Sequence, residues 1–405
     1  MKLFLSRLGP GLLYAGAAVG VSHLVQSTRA GTNYGMLMVL VVIAANIIKY
    51  PFFKAGPLFA ATHKKSLLEA FHAHGNWAMA LFYVLTISGM FTVQAVVTLL
   101  TASVFSSIFD ISFPLWAVSG GLLLICSAIL LIGKFKVLDS IMKTVILLLT
   151  VTTVITLIAA FVFDEGNDSP VEYFSLASNA DLFFLIALIG WMPAPLDISL
   201  WHSEWTLEAA KSAGHVMGVK KAMFDFNVGY WGTTFLACAF VVLGSLILRG
   251  SVTQLPASGV AFSGQLINMY VSTLGSWSFL FVALAAFTTM FSTTLTVLDA
   301  YPRVLSKALN LSFPSQKSTP YNYLLIAVAV GALFVLVFQL ENMKQLVDFA
   351  TSVSFLTAPF LASLIYAVAR RSNDFFSPLE HGLAWFGLVF LYAFSSYFIW
   401  MKWLA

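Results

Sequence analysis

Residues 17–23 read "AAVGVSH" and lie inside the first long apolar stretch of the chain. A membrane helix would simply continue there. Instead two glycines, Gly16 and Gly20, are followed by polar Ser22 and by the titratable imidazole of His23. A second stretch, residues 185–205, reads "LIALIGWMPAPLDISLWHSEW" and carries Pro193 and Pro195 in its middle, after Gly190. Each proline removes a backbone donor and clashes with the preceding turn, so a continuous helix is not expected there.

The composition says what solvent surrounds these segments. Hydrophobic residues make up 60% of the 405 and charged residues only 9%, with a mean hydropathy of +0.90. Soluble domains carry about 25% charged residues, so this surface faces lipid. In lipid every backbone polar group must be satisfied internally, by helices or a closed barrel. The apolar runs are about 20 residues long without strict alternation, which is the length of a helix crossing the hydrocarbon core. An all-α membrane protein follows. The net charge of +4 is scattered singly or in pairs between spans and is no nucleic-acid footprint. Cys126 and Cys238 lie in apolar runs with no zinc or redox spacing.

Eleven transmembrane spans are predicted, near residues 8–31, 34–57, 77–105, 114–132, 140–163, 180–207, 226–248, 275–302, 321–340, 346–369 and 382–402, joined by loops of which the longest are 59–76, 163–179, 249–274 and 303–320. With a cytoplasmic N-terminus, 17 of the 21 Lys and Arg fall on the inside, among them Lys2, Arg7, Lys49, Lys54, Lys134, Lys136 and Lys317. Only Arg29, Arg249, Lys344 and Lys402 fall outside. That asymmetry is the positive-inside pattern, and a missed span would scramble it. It puts the C-terminus outside, in an inner (plasma) membrane. Lys49 and Lys54 read as snorkelling anchors at the cytoplasmic end of span two, and Trp77, Trp400 and Trp403 as interfacial aromatics. Nothing resembles an appended soluble domain, so residues 1–405 are expected to form one transport domain, a monomer or weak homo-oligomer.

The two broken spans are the first and the sixth, five apart. Splitting the chain into repeats over about 8–163 and 180–369, with an additional helix at 382–402, puts each break on the first helix of its half. Paired interruptions at corresponding positions of two halves point to an inverted five-plus-five repeat with a binding site at mid-membrane.

Residues 8–36, "LGPGLLYAGAAVGVSHLVQSTRAGTNYGM", resemble the first helix of the Nramp family of divalent metal transporters, with Gly9-Pro10-Gly11 and Ala30-Gly31 matching at the family's spacing. "WMPAPLDISLWHS" at 191–203 resembles that family's sixth span, with Met192-Pro193 matching. The resemblance implies an APC/Nramp-like fold and a proton-coupled carrier of Mn- or Fe-type cations. It also implies a metal site built from the Asp and Asn of the first break and the Met of the sixth span. Here those positions read Gly20, His23 and Met192, so the Asp-Pro-Gly-Asn motif is missing and only the Met is kept.

The residues near the breaks define the chemistry open to the site. Gly20, Ser22, His23, Met192, Pro193 and Ser352 are the candidate substrate-binding positions. An imidazole, a thioether and a carboxylate at His23, Met192 and Asp197 could ligate a transition metal. Asp197, His202, Asp299 and Arg303 are candidates for coupling or gating, since an intramembrane carboxylate marks a pathway or pairs with a partner. Asp299 and Arg303 sit four apart and can pair on one helix face, as an inner gate or as a plain stabilising contact. Span eight, "AAFTTMFSTTLTVLDAYPRV" at 285–304, is rich in hydroxyls. In symporters of related inverted-repeat architecture such hydroxyls help hold sodium against the first helix, which keeps sodium coupling open. No Walker A motif, nucleophile elbow or other catalytic constellation occurs. The expected function is therefore secondary transport, of a divalent metal or, alternatively, of an amino acid or organic cation, with no cofactor and no nucleic-acid partner.

Overall fold

The computed structural model describes residues 8–162, 173–214, 217–248, 259–314, 320–338, 343–371 and 375–403. Lys2, Arg7, Arg249 and Lys317, counted above, and the side chains of Lys134, Lys136, Lys344, Lys402 and Trp403 lie outside what is described. The described residues are helical with short connections and contain no strand.

In chain order the α-helices are α1 (Pro10–Ala18), α2 (Thr28–Tyr34), α3 (Met38–His63), α4 (Leu67–His74), α5 (Asn76–Phe109), α6 (Leu115–Val162), α7 (Asn179–Gly190), α8 (Ile198–Ala213), α9 (Val219–Leu243), α10 (Gly259–Leu274), α11 (Phe279–Ser312), α12 (Tyr321–Phe338), α13 (Met343–Ala369) and α14 (Pro378–Trp403). Among the described residues, nine helical stretches are long and apolar enough to cross a membrane. Spans one and six are missing from those nine because each is two short helices, α1 with α2 and α7 with α8. Together they make the eleven transmembrane helices of an inverted five-plus-five repeat.

Three connections differ from expectation. Spans four and five are joined within one helix, α6, because the linking residues "GKFKV" at 133–137 carry no proline. The helix departs from regular geometry there. A Cβ on Gly133 would come within 2.9 Å of the Val137 Cβ, whereas residues four apart on a straight helix sit about 5–6 Å apart. The loop expected at 249–274 contains the 16-residue helix α10, which buries Leu266, Ile267 and Tyr270. The loop expected at 59–76 contains α4, started by a Ser66–Glu69 capping box.

The Gly9-Pro10-Gly11 start has a physical cause. Asp225 of α9 accepts from the backbone amides of Gly9 (2.9 Å) and Gly11 (2.7 Å), while Pro10, at the first turn, has no N–H to satisfy. A carboxylate at a helix N-terminus is favoured by the orphan donors and by the helix dipole. The approach is so close that a Cβ on Gly11 would strike Asp225 and one on Gly229 would strike the Gly11 backbone.

Candidate functional site

The first break is narrow. α1 ends at Ala18, and Val19 takes an extended conformation (φ −78°, ψ 93°). Helix then resumes at Val21 and runs through a π-helical turn, Ser22–Ser27, into α2. An interrupted helix leaves carbonyls without amide partners, and α11 answers them. Thr293 Oγ1 lies 2.9 Å from the Gly16 carbonyl oxygen, 3.0 Å from that of Val19 and 3.2 Å from that of Thr289 on its own helix. Gly20 sits against this threonine; a Cβ there would lie 2.8 Å from Thr293 Oγ1. The other hydroxyls of the patch mostly bond carbonyls of their own turn, as Thr289, Ser292 and Thr296 do. Thr294 crosses instead to Thr101 and to the Val97 carbonyl on α5.

The second break spans residues 191–197, with a cis Met192–Pro193 peptide. Trp191 Nε1 donates to Ser354 Oγ at 2.8 Å, and Gly190 packs on the Thr351 backbone. Span ten therefore meets the break through Thr351, Ser354 and Phe355, three and four residues apart on one face of α13. Ser352, the position expected to do so, is half-buried a third of a turn away.

The breaks meet. Ala17, Ala18, Val21 and Ser22 of span one, Trp191, Pro195 and Trp201 of span six, and Val93, Val97, Thr293 and Val297 of α5 and α11 line one cavity of about 20 Å³. That is room for a water or a bare ion. The lining is apolar except for Ser22 and Thr293.

His23 and Met192 are not among the lining residues. His23 is fully buried, with Nε2 3.1 Å from the Thr233 carbonyl oxygen and Nδ1 2.8 Å from Ser22 Oγ, so both nitrogens are engaged. Met192 and Pro193 are buried within the break. Asp197 is half-buried at the start of α8 and makes no capping bond, with Tyr301 in electrostatic reach. His202 is 1% exposed, stacked on Tyr14 at 5.7 Å and tilted against Phe226, and neither of its nitrogens has a partner. No group of three or more His, Cys, Asp or Glu side chains able to hold a metal occurs among the described residues.

Lys49 corrects the sequence reading. It is no interfacial anchor but is 1% exposed, near the middle of α3, where snorkelling cannot bring its ammonium to water. Nζ donates to the carbonyls of Ile189 and Met192 (3.1 Å) and more weakly to Gly190 (3.4 Å). The sequence reading places it too near the helix end, since the helix runs to His63 rather than to 57. Lys54, by contrast, lies nearer the helix end and pairs with Glu380 of α14.

Polar clusters flank the cavity. On one side Asp299 takes a bidentate contact from Arg303 (2.9 and 2.7 Å) and accepts from Trp205 of α8 (3.1 Å) and Tyr321 of α12 (2.9 Å). Glu208 lies 3.8 Å from Arg303. On the other side Arg29 bonds Gln26 (2.9 Å) and Asp348 of α13 (3.3 Å), with its guanidinium over the Phe184 ring of α7. This second cluster is not legible in the sequence, because Arg29 and Asp348 lie 319 residues apart along the chain.

No family model matches the chain. It is 34% identical to the uncharacterized protein PM0681 of Pasteurella multocida (strain Pm70) over 398 residues, 97% of this chain and 91% of that protein. The chain belongs to the family of that protein. In fold it is similar to the manganese transporter of Eremococcus coleocola (TM-score 0.71, 13% identity, 97% of this chain and 86% of the other). It is also similar to MhsT in complex with L-phenylalanine (0.58, 13%, 98% of each) and to Mhp1, a nucleobase-cation-symport-1 family transporter (0.56, 14%, 93% and 81%). The proteins of similar fold thus include a manganese transporter and a protein bound to L-phenylalanine, so the fold alone assigns no substrate.

Proposed function

We propose that this chain is a sodium-coupled secondary transporter of a small organic solute, working by alternating access as one unit over its whole length. The observation that carries the reading is the oxygen cluster at the first break. Three backbone carbonyls, of Gly16, Val19 and Thr289, converge on the single hydroxyl of Thr293. The Thr289 carbonyl already has its helix amide, but one hydroxyl proton cannot serve both the Gly16 and the Val19 carbonyls, and a hard monovalent cation seated among these oxygens would satisfy them together. Against a divalent metal stand the engaged nitrogens of His23, the missing acidic residue at Gly20 and the ammonium of Lys49 on the Met192 carbonyl. A divalent ion desolvated beside a fixed positive charge would be poorly neutralised.

The metal reading keeps one specific support, the uncapped Asp197 carboxylate five residues beyond the Met192 thioether. If the break reorganises, these two could converge on a soft cation.

With the N-terminus cytoplasmic, the Asp299–Arg303 cluster closes the cytoplasmic side and the Arg29–Asp348 cluster the outer side. The conformation described is then occluded. Coupled ion and solute would be released as first one cluster and then the other parts, with spans one and six rocking against the rest. Proteoliposomes loaded against an inward Na+ gradient, offered mixed radiolabelled amino acids and organic ions in one arm and radioactive Mn in the other, test the proposal. Uptake of an organic solute that collapses without Na+ is expected. Mn uptake indifferent to Na+ would overturn it.

A further inference from the structure

Lys49 is roughly 17 Å of helix from the nearer end of α3 at 1.5 Å per residue, and its ammonium is solvated wholly by protein. Its partners are three carbonyl oxygens, of Ile189, Gly190 and Met192, at the C-terminal end of the half-helix α7. Among the described residues it forms no ion pair with a carboxylate. That surrounding is unusual for a lysine and ordinary for a bound alkali cation. The last carbonyls of a helix carry its negative partial charge, the Ile189 carbonyl taking the Met192 amide as well at 3.2 Å, and carbonyl oxygens replace the hydration shell of monovalent cations. The same helix α3 grips the other side of the break, where Ser199 Oγ donates to the Phe52 carbonyl at 2.7 Å. The ammonium is thus delivered to the break by a rigid element anchored on both half-helices.

We propose that the Lys49 ammonium is a tethered cation filling a monovalent-cation site formed by the carbonyls of Ile189, Gly190 and Met192, and that removing it uncovers a site for an alkali ion. The chain then supplies one positive charge at the sixth-span break itself, leaving only the first-span site to be filled from solution. The inference stands on this geometry whatever the cargo.

Equilibrium binding of radioactive Na+ to purified protein in detergent tests it, with wild type, Lys49→Ala and Lys49→Arg side by side. Lys49→Ala is expected to bind one Na+ per protein more than wild type, while Lys49→Arg, which keeps a fixed cation, gains none. Equal Na+ counts in wild type and Lys49→Ala overturn the proposal. So does a Lys49→Ala protein that cannot be recovered folded in either Na+ or K+, because an alkali ion is required to replace the ammonium. Recovery in Na+ but not in choline supports it. The wild-type count reports separately on the Thr293 site: no Na+ in wild type with one in Lys49→Ala would sink sodium coupling and leave the tethered cation standing.

Discussion

Replacing Asp299 by Asn separates a gate from a staple. The side chain is 2% exposed and its oxygens accept from Arg303 twice, from Trp205 and from Tyr321. Removing one partner of a buried ion pair costs about 3–5 kcal/mol. Arg303 keeps 20% exposure and has Glu208 at 3.8 Å, so the lower limit of about 3 kcal/mol applies. If the cluster exists only while the cytoplasmic side is closed, that loss falls on the closed state alone. The equilibrium then moves toward the inward-open state by on the order of a hundredfold, at about 1.4 kcal/mol per tenfold. Val297, which lines the cavity, reports the change as Val297→Cys in a background lacking Cys126 and Cys238. A membrane-impermeant thiol reagent is applied to the cytoplasmic face of oriented vesicles. Asp299→Asn is expected to raise the labelling rate by up to about a hundredfold. An unchanged rate together with a melting temperature lowered by the full loss would show a stabilising contact and refute the gate.

Three further outcomes follow from the same geometry. Arg29→Gln, which removes the guanidinium from Asp348 and from the Phe184 ring, is expected to raise labelling of a cavity cysteine from the outer face and leave the cytoplasmic rate unchanged. His202→Phe replaces a buried imidazole with two unpartnered nitrogens by an apolar ring in an aromatic box. It should leave stability unchanged or raise it, by up to about 1–3 kcal/mol of recovered desolvation, while lowering ion-coupled uptake if the imidazole serves coupling; calorimetry and uptake read the two arms. Gly229→Ala and Gly11→Ala should each lower the melting temperature clearly, because the added Cβ meets backbone, whereas Gly232→Ala, with nothing within 4 Å, should not.

Much of the architecture was legible in the chain because the lipid constraint is severe. Glycine and proline in apolar runs marked both breaks, and the lengths of the apolar runs marked the eleven spans. The Asp299–Arg303 pair was legible because it is local, four residues apart on one helix. What was not legible depends on contacts between distant segments. Lys49 read as an anchor because nothing local says that three carbonyls of another helix will solvate it. Nothing local marks Thr351 and Ser354 ahead of Ser352, because the face that α13 turns to α7 is set by packing rather than by composition. The helix α10 reads as loop because it buries only one stripe of apolar residues. The hold of the Thr233 carbonyl on His23 is not legible because the two lie 210 residues apart.

The central claim is that the loosened carbonyls of the first break hold a monovalent cation with Thr293. Thermal unfolding of the purified protein in increasing Na+, at ionic strength held constant with choline, tests it in wild type and in Thr293→Val. Wild type is predicted to gain stability saturably, by about 2.7 kcal/mol once Na+ exceeds its Kd a hundredfold, and Thr293→Val to melt lower and gain nothing. A wild-type midpoint indifferent to the exchange of choline for Na+, or an equal gain in Thr293→Val, would contradict the account.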